Sequence, residues 1–240
     1  MAIIADIAAA FRLFTRIPMA DHGDGSSSIS QAARWFPLVG VAIGAVLSVT
    51  AWLLGDSPIA ALSILLIWIA ITGALHLDGA ADLADGLGAA HHDRLRLLAV
   101  MKEPHIGSFG ALALIVIVLT KWVTLDAVVT MSQLWALLLV PAWVRLGALY
   151  WLYTLNPLAD GLGEMCKQNI DKTDIIVWLA LLVVVSVVLL SPLFVVAACA
   201  TILAWRWFLA QQVGGMSGDC LGAGVEWCEA ALLMLLLLLL

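Results

Sequence analysis

Seven apolar runs, each about as long as a bilayer is thick, constrain this chain more than any other feature. They occupy roughly residues 36–54, 58–75, 106–125, 132–154, 174–190, 192–210 and 220–240. A helix needs about 20 apolar residues to cross the hydrocarbon layer, whereas a barrel strand needs only about 10. Runs of this length therefore predict helices, which satisfy every backbone N–H and C=O internally where no water can. Pro58, Pro141 and Pro192 fall in or at these runs, and membrane helices tolerate them. The fold class is all-α: a polytopic bundle of about seven transmembrane helices in one integral membrane domain over residues 1–240. Composition agrees, because 64% of residues are hydrophobic and 12% charged. A soluble chain carries about twice that charge, so this one could not cover a water-facing surface.

Before the first run, Ile3, Ile4, Ile7, Phe11 and Phe14 recur at helical spacing. Arg12 and Arg16 follow these residues instead of preceding them, which is not the order of a cleaved signal. The expectation is an amphipathic helix along the membrane surface, followed by a polar loop over residues 21–30. Seven crossings would place residues 1–35, 76–105, 155–173 and 211–219 on one side, with eight Lys and Arg. The opposite loops carry none, which assigns the first side to the cytoplasm. A net charge of −6 argues against a nucleic-acid partner. Cys166, Cys199, Cys220 and Cys228 are dispersed and imply no disulfide framework.

The chemistry concentrates in His76-Leu77-Asp78-Gly79-Ala80-Ala81-Asp82-Leu83-Ala84-Asp85-Gly86. Asp78, Asp82 and Asp85 stand at i, i+4 and i+7, within about 60° of one another on a helix. Three carboxylates on one face repel each other unless a cation sits among them, and hard oxygen donors suit Mg²⁺. A solvated acidic helix end is the bland alternative; the spacing and the scarcity of charge favour a metal site. Gly79 and Gly86 flank the cluster and would let a bulky ligand approach the backbone. Magnesium of this kind serves phosphoryl transfer, so phosphate-holding cations are expected nearby. Lys102 and His105 are candidates, just before the Gly107–Gly110 stretch that opens the third run. An interfacial lysine is also a common membrane anchor. Gly214-Gly215-Met216-Ser217-Gly218-Asp219 offers a second hydroxyl and carboxylate, although its spacing alone reads as a tight turn. His91 and His92 are adjacent, point about 100° apart on a helix and do not converge.

Lys121, Arg145, Glu226 and Glu229 fall inside apolar runs, where a charge needs a function or a partner. Lys121 is expected to pair with Glu226, or with Glu229 one turn deeper. Arg206, near a run's end, reads as an anchor.

Taken together, these blocks resemble the adenosylcobinamide-GDP ribazoletransferase, or cobalamin synthase, family over nearly the whole chain. The resemblance rests on Phe14-Thr15-Arg16-Ile17-Pro18, Phe36-Pro37-Leu38-Val39-Gly40 and the His76–Gly86 block. It continues through Met101-Lys102, Gly107, Gly110 and Lys121 to Gly214-Gly215, Ser217-Gly218-Asp219, Gly222-Ala223 and Glu226. The family usually has Ser and Arg where this chain has Pro104 and His105, and Thr at the place of Ser217. The resemblance implies a Mg²⁺-dependent transferase in the bacterial inner membrane, with its site facing the cytoplasm. It would join cobinamide-GDP to α-ribazole or its 5′-phosphate and release GMP. On that basis Asp78, Asp82 and Asp85 would hold the metal, and Asp82, Asp85, Asp219 and Lys102 would carry the reaction. His76, Gly79, Gly86, His105, Lys121, Arg145 and Ser217 would contact substrate. The partners would be the two substrates and the lipid bilayer, with room for a homo-oligomer. A CDP-alcohol phosphotransferase also uses an Asp-rich helix, but its motif needs an Arg that this chain lacks. A transporter would be expected to show related halves, and none is visible.

Overall fold

The computed structural model describes residues 2–19, 31–90, 93–158 and 169–239. The predicted loop over residues 21–30, the His91–His92 pair, Cys166 and Lys167 lie outside them. Among the described residues the regular elements are all helices: α1 (Ala2–Phe14), α2 (Phe36–Leu54), α3 (Ala60–Thr72), α4 (Leu75–Ala90) and α5 (Arg94–Val100). They continue with α6 (Ser108–Thr130), α7 (Leu134–Thr154), α8 (Lys172–Leu189), α9 (Pro192–Phe208) and α10 (Gly218–Leu239). A 3₁₀ turn leads into α2, and a π-helical turn over Leu209–Val213 extends α9.

Six of these helices (α2, α6, α7, α8, α9 and α10) are long and apolar enough to cross a membrane. The seventh candidate is the pair α3 and α4, which meet at 86°. The sequence placed one apolar run over residues 58–75; the structure ends its helix at Thr72. Gly73 (φ 63°) and Ala74 (φ 57°) both adopt left-handed backbone, which no α-helix continues through. The apolar α3 is therefore separated from α4, which carries the three aspartates and turns out of the line of the span. The third run is longer than expected: α6 reaches Thr130, so Asp126 lies within the helix, exposed near its end, and not in a loop. The fifth and sixth runs are two separate helices. Ser191 Oγ accepts the Phe194 N–H at 3.1 Å, and Pro192 opens α9 where no donor is lost.

The bundle is organised about α7, 78% of whose apolar window is buried, against 11% for the peripheral α8. Its tightest partner is α2. A methyl group at Gly44 would lie 2.6 Å from the carbonyl oxygens of Leu137 and Leu138, so only glycine permits that approach. The helix α1 exists as expected, but its packed side is Ala5, Ala8, Ala9, Ala10 and Phe14. Ile3 and Ile4 point outward, 61% and 62% exposed, which leaves an apolar stripe for the membrane surface.

Hydrogen bonds tie the segment after α1 to the end of α3, the segment after α7 to the turn before α10, and α2 to the start of α7. The Arg16 N–H donates to Ile71 O at 2.7 Å, and the Met216 N–H donates to Asn156 O at 2.8 Å. At the other end, Ser48 Oγ donates to Leu134 O at 3.1 Å.

Candidate active site

The acidic face of α4 is where the first turns of α6 and α10 converge. Asp78 is exposed, while Asp82 and Asp85 are half-buried. Gly107, which immediately precedes α6, has no side chain with which to cap it. Asp85 does so from the neighbouring helix: its Oδ2 accepts the Gly107 N–H at 2.6 Å and its Oδ1 the Gly110 N–H at 2.8 Å. A carboxylate at a helix start also meets the positive end of the helix dipole. Both oxygens of Asp85 are thus engaged by backbone, which ties the segment carrying Lys102 and His105 across α4.

The seam between α4 and α10 is made by glycine. A Cβ at Gly79 would fall 2.7 Å from the carbonyl oxygen of Asp219 and 2.8 Å from its Cα. A Cβ at Gly222 would meet the His76 backbone at 3.1 Å. Gly86 serves in the same way against α5, with the Leu97 carbonyl 3.1 Å from its missing methyl. The room that the sequence reading reserved for a ligand beside Gly79 and Gly86 is therefore occupied by protein. Close packing carries Asp219 to the aspartates of α4. Burial first, then the charges of Asp78, Asp219 and Asp85, push the Asp82 carboxyl up from 3.8 to about 6.

Two cavities flank this face, and Asp78 lines both. One, of about 610 Å³, is lined by Asp78 and Asp82 together with Lys102, Glu103 and His105. The other, of about 200 Å³, is walled by Phe14, Phe36 and Leu152, with His76, Asp78, Ser217 and Asp219 at its polar side. Ser217 Oγ also accepts the Cys220 N–H at 3.1 Å, which caps the first turn of α10. Phe14, Phe36 and Leu152 were not legible as site residues. The first two lie in motifs that carry the family resemblance, but an apolar residue announces no chemistry by itself.

Lys121 and Arg145 line neither cavity. Lys121 Nζ donates to Glu226 Oε2 at 2.6 Å and to Glu229 Oε2 at 2.5 Å, and Arg145 Nη1 donates to Glu229 Oε1. All four side chains are buried. Two cations balance two carboxylates, and Trp68 covers Lys121 with its ring centroid 4.4 Å from Nζ. The expected pairing of Lys121 with the last span is present, through both glutamates.

Among the described residues no three His, Cys, Asp or Glu side chains are grouped so as to hold a metal ion. Mg²⁺ does not require that: it commonly binds through one or two carboxylates plus water and substrate phosphate. Asp78 and Asp82, whose charges repel each other and which both line the larger cavity, would suit that lesser demand.

Fold and site together define a class of protein: a helical integral membrane protein with a carboxylate-rich cleft at one end of its bundle. The chain belongs to the cobalamin-5-phosphate synthase family, whose profile matches residues 6–237. It is 41% identical over 235 residues to the adenosylcobinamide-GDP ribazoletransferase of Novosphingobium aromaticivorans, covering 94% of this chain and 93% of that one. The enzyme of the same name from Thiobacillus denitrificans is 39% identical, over 94% of this chain and 92% of its own length. That of Laribacter hongkongensis is 44% identical over 86% and 85%. No solved structure matches the chain.

Proposed function

We infer that this protein is an adenosylcobinamide-GDP ribazoletransferase, which joins adenosylcobinamide-GDP to α-ribazole or its 5′-phosphate. The single observation that carries the reading is the larger cavity, whose lining brings Asp78 and Asp82 together with Lys102 and His105. Carboxylates for a divalent ion and cations for phosphate oxygens meet there, as transfer from a diphosphate requires. A ribose hydroxyl attacks the phosphorus on the corrinoid side of the diphosphate. A new P–O bond forms, the bond to the GMP phosphate breaks, and its electron pair leaves with GMP. The hydroxyl proton passes to a carboxylate of the cluster. Lys102 and His105 hold diphosphate oxygens, and Asp85 positions their segment through Gly107 and Gly110. Asp78 and Asp82 would hold Mg²⁺, which when bound neutralises charge on the diphosphate. Lys121, held by Glu226 and Glu229, and Arg145, held by Glu229 through Nη1, act at a distance by fixing α10 and with it Asp219.

A CDP-alcohol phosphotransferase is not favoured, because no Arg follows Asp82 and the relatives carry a different activity in their names. Purified protein in detergent or liposomes should release GMP from adenosylcobinamide-GDP only when α-ribazole or its phosphate is added. Absence of GMP release in the presence of both substrates and Mg²⁺ would overturn the reading. The cleft is assigned to the cytoplasmic side of the inner membrane on the strength of the basic loops.

A further inference from the structure

A transferase with two substrates needs two places that share one reacting point, and α4 supplies that arrangement. On α4, Leu77, Ala81 and Asp82 line the larger cavity, and Leu75 and His76 line the smaller one. Asp78 belongs to both walls.

The two cavities differ in the chemistry they accept. The larger holds Lys102 and His105 among the carboxylates of Asp78, Asp82 and Glu103, a mixed set that suits a diphosphate carried with a divalent cation. The described lining of the smaller contains no Lys or Arg and is mainly aromatic and aliphatic. Phe14 and Phe36 meet edge to face with centroids 4.5 Å apart, and His76 lies 5.2 Å from Phe14. A further observation points to a ligand: His76 is 3% exposed, and its Nδ1 has no hydrogen-bond partner. A buried polar atom left unpaired is costly unless something completes it. At about 200 Å³ the cavity has room for a fused aromatic base but none for a corrin macrocycle.

We propose that the cavity formed by Phe14, Phe36, Leu152 and His76 is the subsite for the acceptor, taken up as an aromatic ribonucleoside. Its base enters among the apolar side chains, and its ribose lies toward Asp78 and Asp219. Asp219, on the acceptor side of the shared face, takes the proton from the attacking hydroxyl. The donor occupies the larger cavity, and the two substrates meet at Asp78. The surface helix α1 is thereby part of the site, because Leu13 and Phe14 close the subsite. This assignment rests on the ribazoletransferase reading.

The test measures the Michaelis constant for each substrate separately, together with equilibrium binding of α-ribazole by calorimetry. Leu13→Trp, at the half-buried edge of α1, narrows the subsite without opening the core. It should raise KM for α-ribazole at least tenfold and weaken its binding in parallel, with KM for adenosylcobinamide-GDP within twofold of wild type. Lys102→Ala should do the reverse. Phe36→Leu, a milder change, should also shift only the acceptor constant. The subsite assignment is overturned if Leu13→Trp and Phe36→Leu change the donor constant instead, or change neither constant in a correctly folded protein. Lack of turnover by wild type with both substrates would refute the underlying activity and not the placement.

Discussion

Gly79 on α4 rests against the backbone of Asp219 on α10 so closely that a single methyl group would sit 2.7 Å from the Asp219 carbonyl oxygen. That contact brings the aspartate of the last span to those of α4. It also makes the site depend on the absence of a side chain.

Gly79→Ala should therefore separate α4 from α10. Overpacking a tight contact costs about 1–3 kcal/mol, so the protein should still insert and purify with a lowered melting temperature. GMP release should fall by roughly tenfold or more, since that energy is one to two decades in rate. Wild-type turnover in this variant would show that the seam does not set the catalytic geometry.

The Lys121–Glu226–Glu229–Arg145 cluster should behave as one unit. Removing one partner of a buried pair costs roughly 3–5 kcal/mol, because it strands the other charge. Lys121→Met and Glu226→Gln should each lower thermal stability, and the double variant should lose less than the sum. Strict additivity would mean that the two residues do not stabilise each other. If Lys121→Met abolished binding of adenosylcobinamide-GDP at unchanged stability, Lys121 would belong to the substrate pocket instead.

Asp85 and Asp82 should separate by kinetics. Asp85→Ala removes the cap of α6 and loosens the segment that carries Lys102 and His105, so its main effect should be a raised KM for the donor. Asp85→Asn, which keeps one acceptor oxygen, should recover part of that loss. Asp82→Asn should instead lower kcat by more than the roughly 10–100-fold that losing a supporting residue of a metal site costs. Chelation should abolish wild-type activity, and Mg²⁺ or Mn²⁺ should restore it.

The crowding of Asp82 has a consequence for stability. Its carboxyl, raised from 3.8 to about 6, holds a proton more tightly in the folded protein than in the unfolded chain. Its contribution to stability is fully present below pH 3.8 and is lost as pH rises through about 6. In chelator at pH 7.5, Asp82→Asn should therefore raise the melting temperature, on the order of 1–3 °C, although it removes activity. At pH 4 the difference should shrink toward zero. A lower melting temperature for Asp82→Asn at pH 7.5 would contradict the repulsion.

Orientation can be read with single cysteines in a background free of the native four. Glu103→Cys, beside the site, should react with an impermeant reagent only from the cytoplasmic side. Ser132→Cys, in the turn between α6 and α7, should react only from the other. The opposite pattern would invert the assignment drawn from the basic residues.

Much of this molecule follows from its sequence because a bilayer leaves few choices. Apolar runs of bilayer length must become helices, and the uneven spread of basic residues between the loops is what predicts their sides. The carboxylates of Asp78, Asp82 and Asp85 share a face because helical spacing alone puts them there. Lys121 needed a partner because a bare charge in hydrocarbon is costly, and Glu226 and Glu229 were the acids available on the last span. Other features depended on which surfaces meet. The break at Gly73 and Ala74, inside what reads as one apolar run, is a matter of two backbone torsions and leaves no trace in hydropathy. That Asp85 caps α6, that Gly79 and Gly86 admit neighbouring helices and not ligand, and that Arg145 donates to Glu229 are facts of packing between residues far apart in the chain. So is the aromatic cavity of Phe14 and Phe36. An apolar residue facing lipid, core or ligand looks the same in sequence, and only the tertiary arrangement of α1, α2, α4, α7 and α10 separates the three.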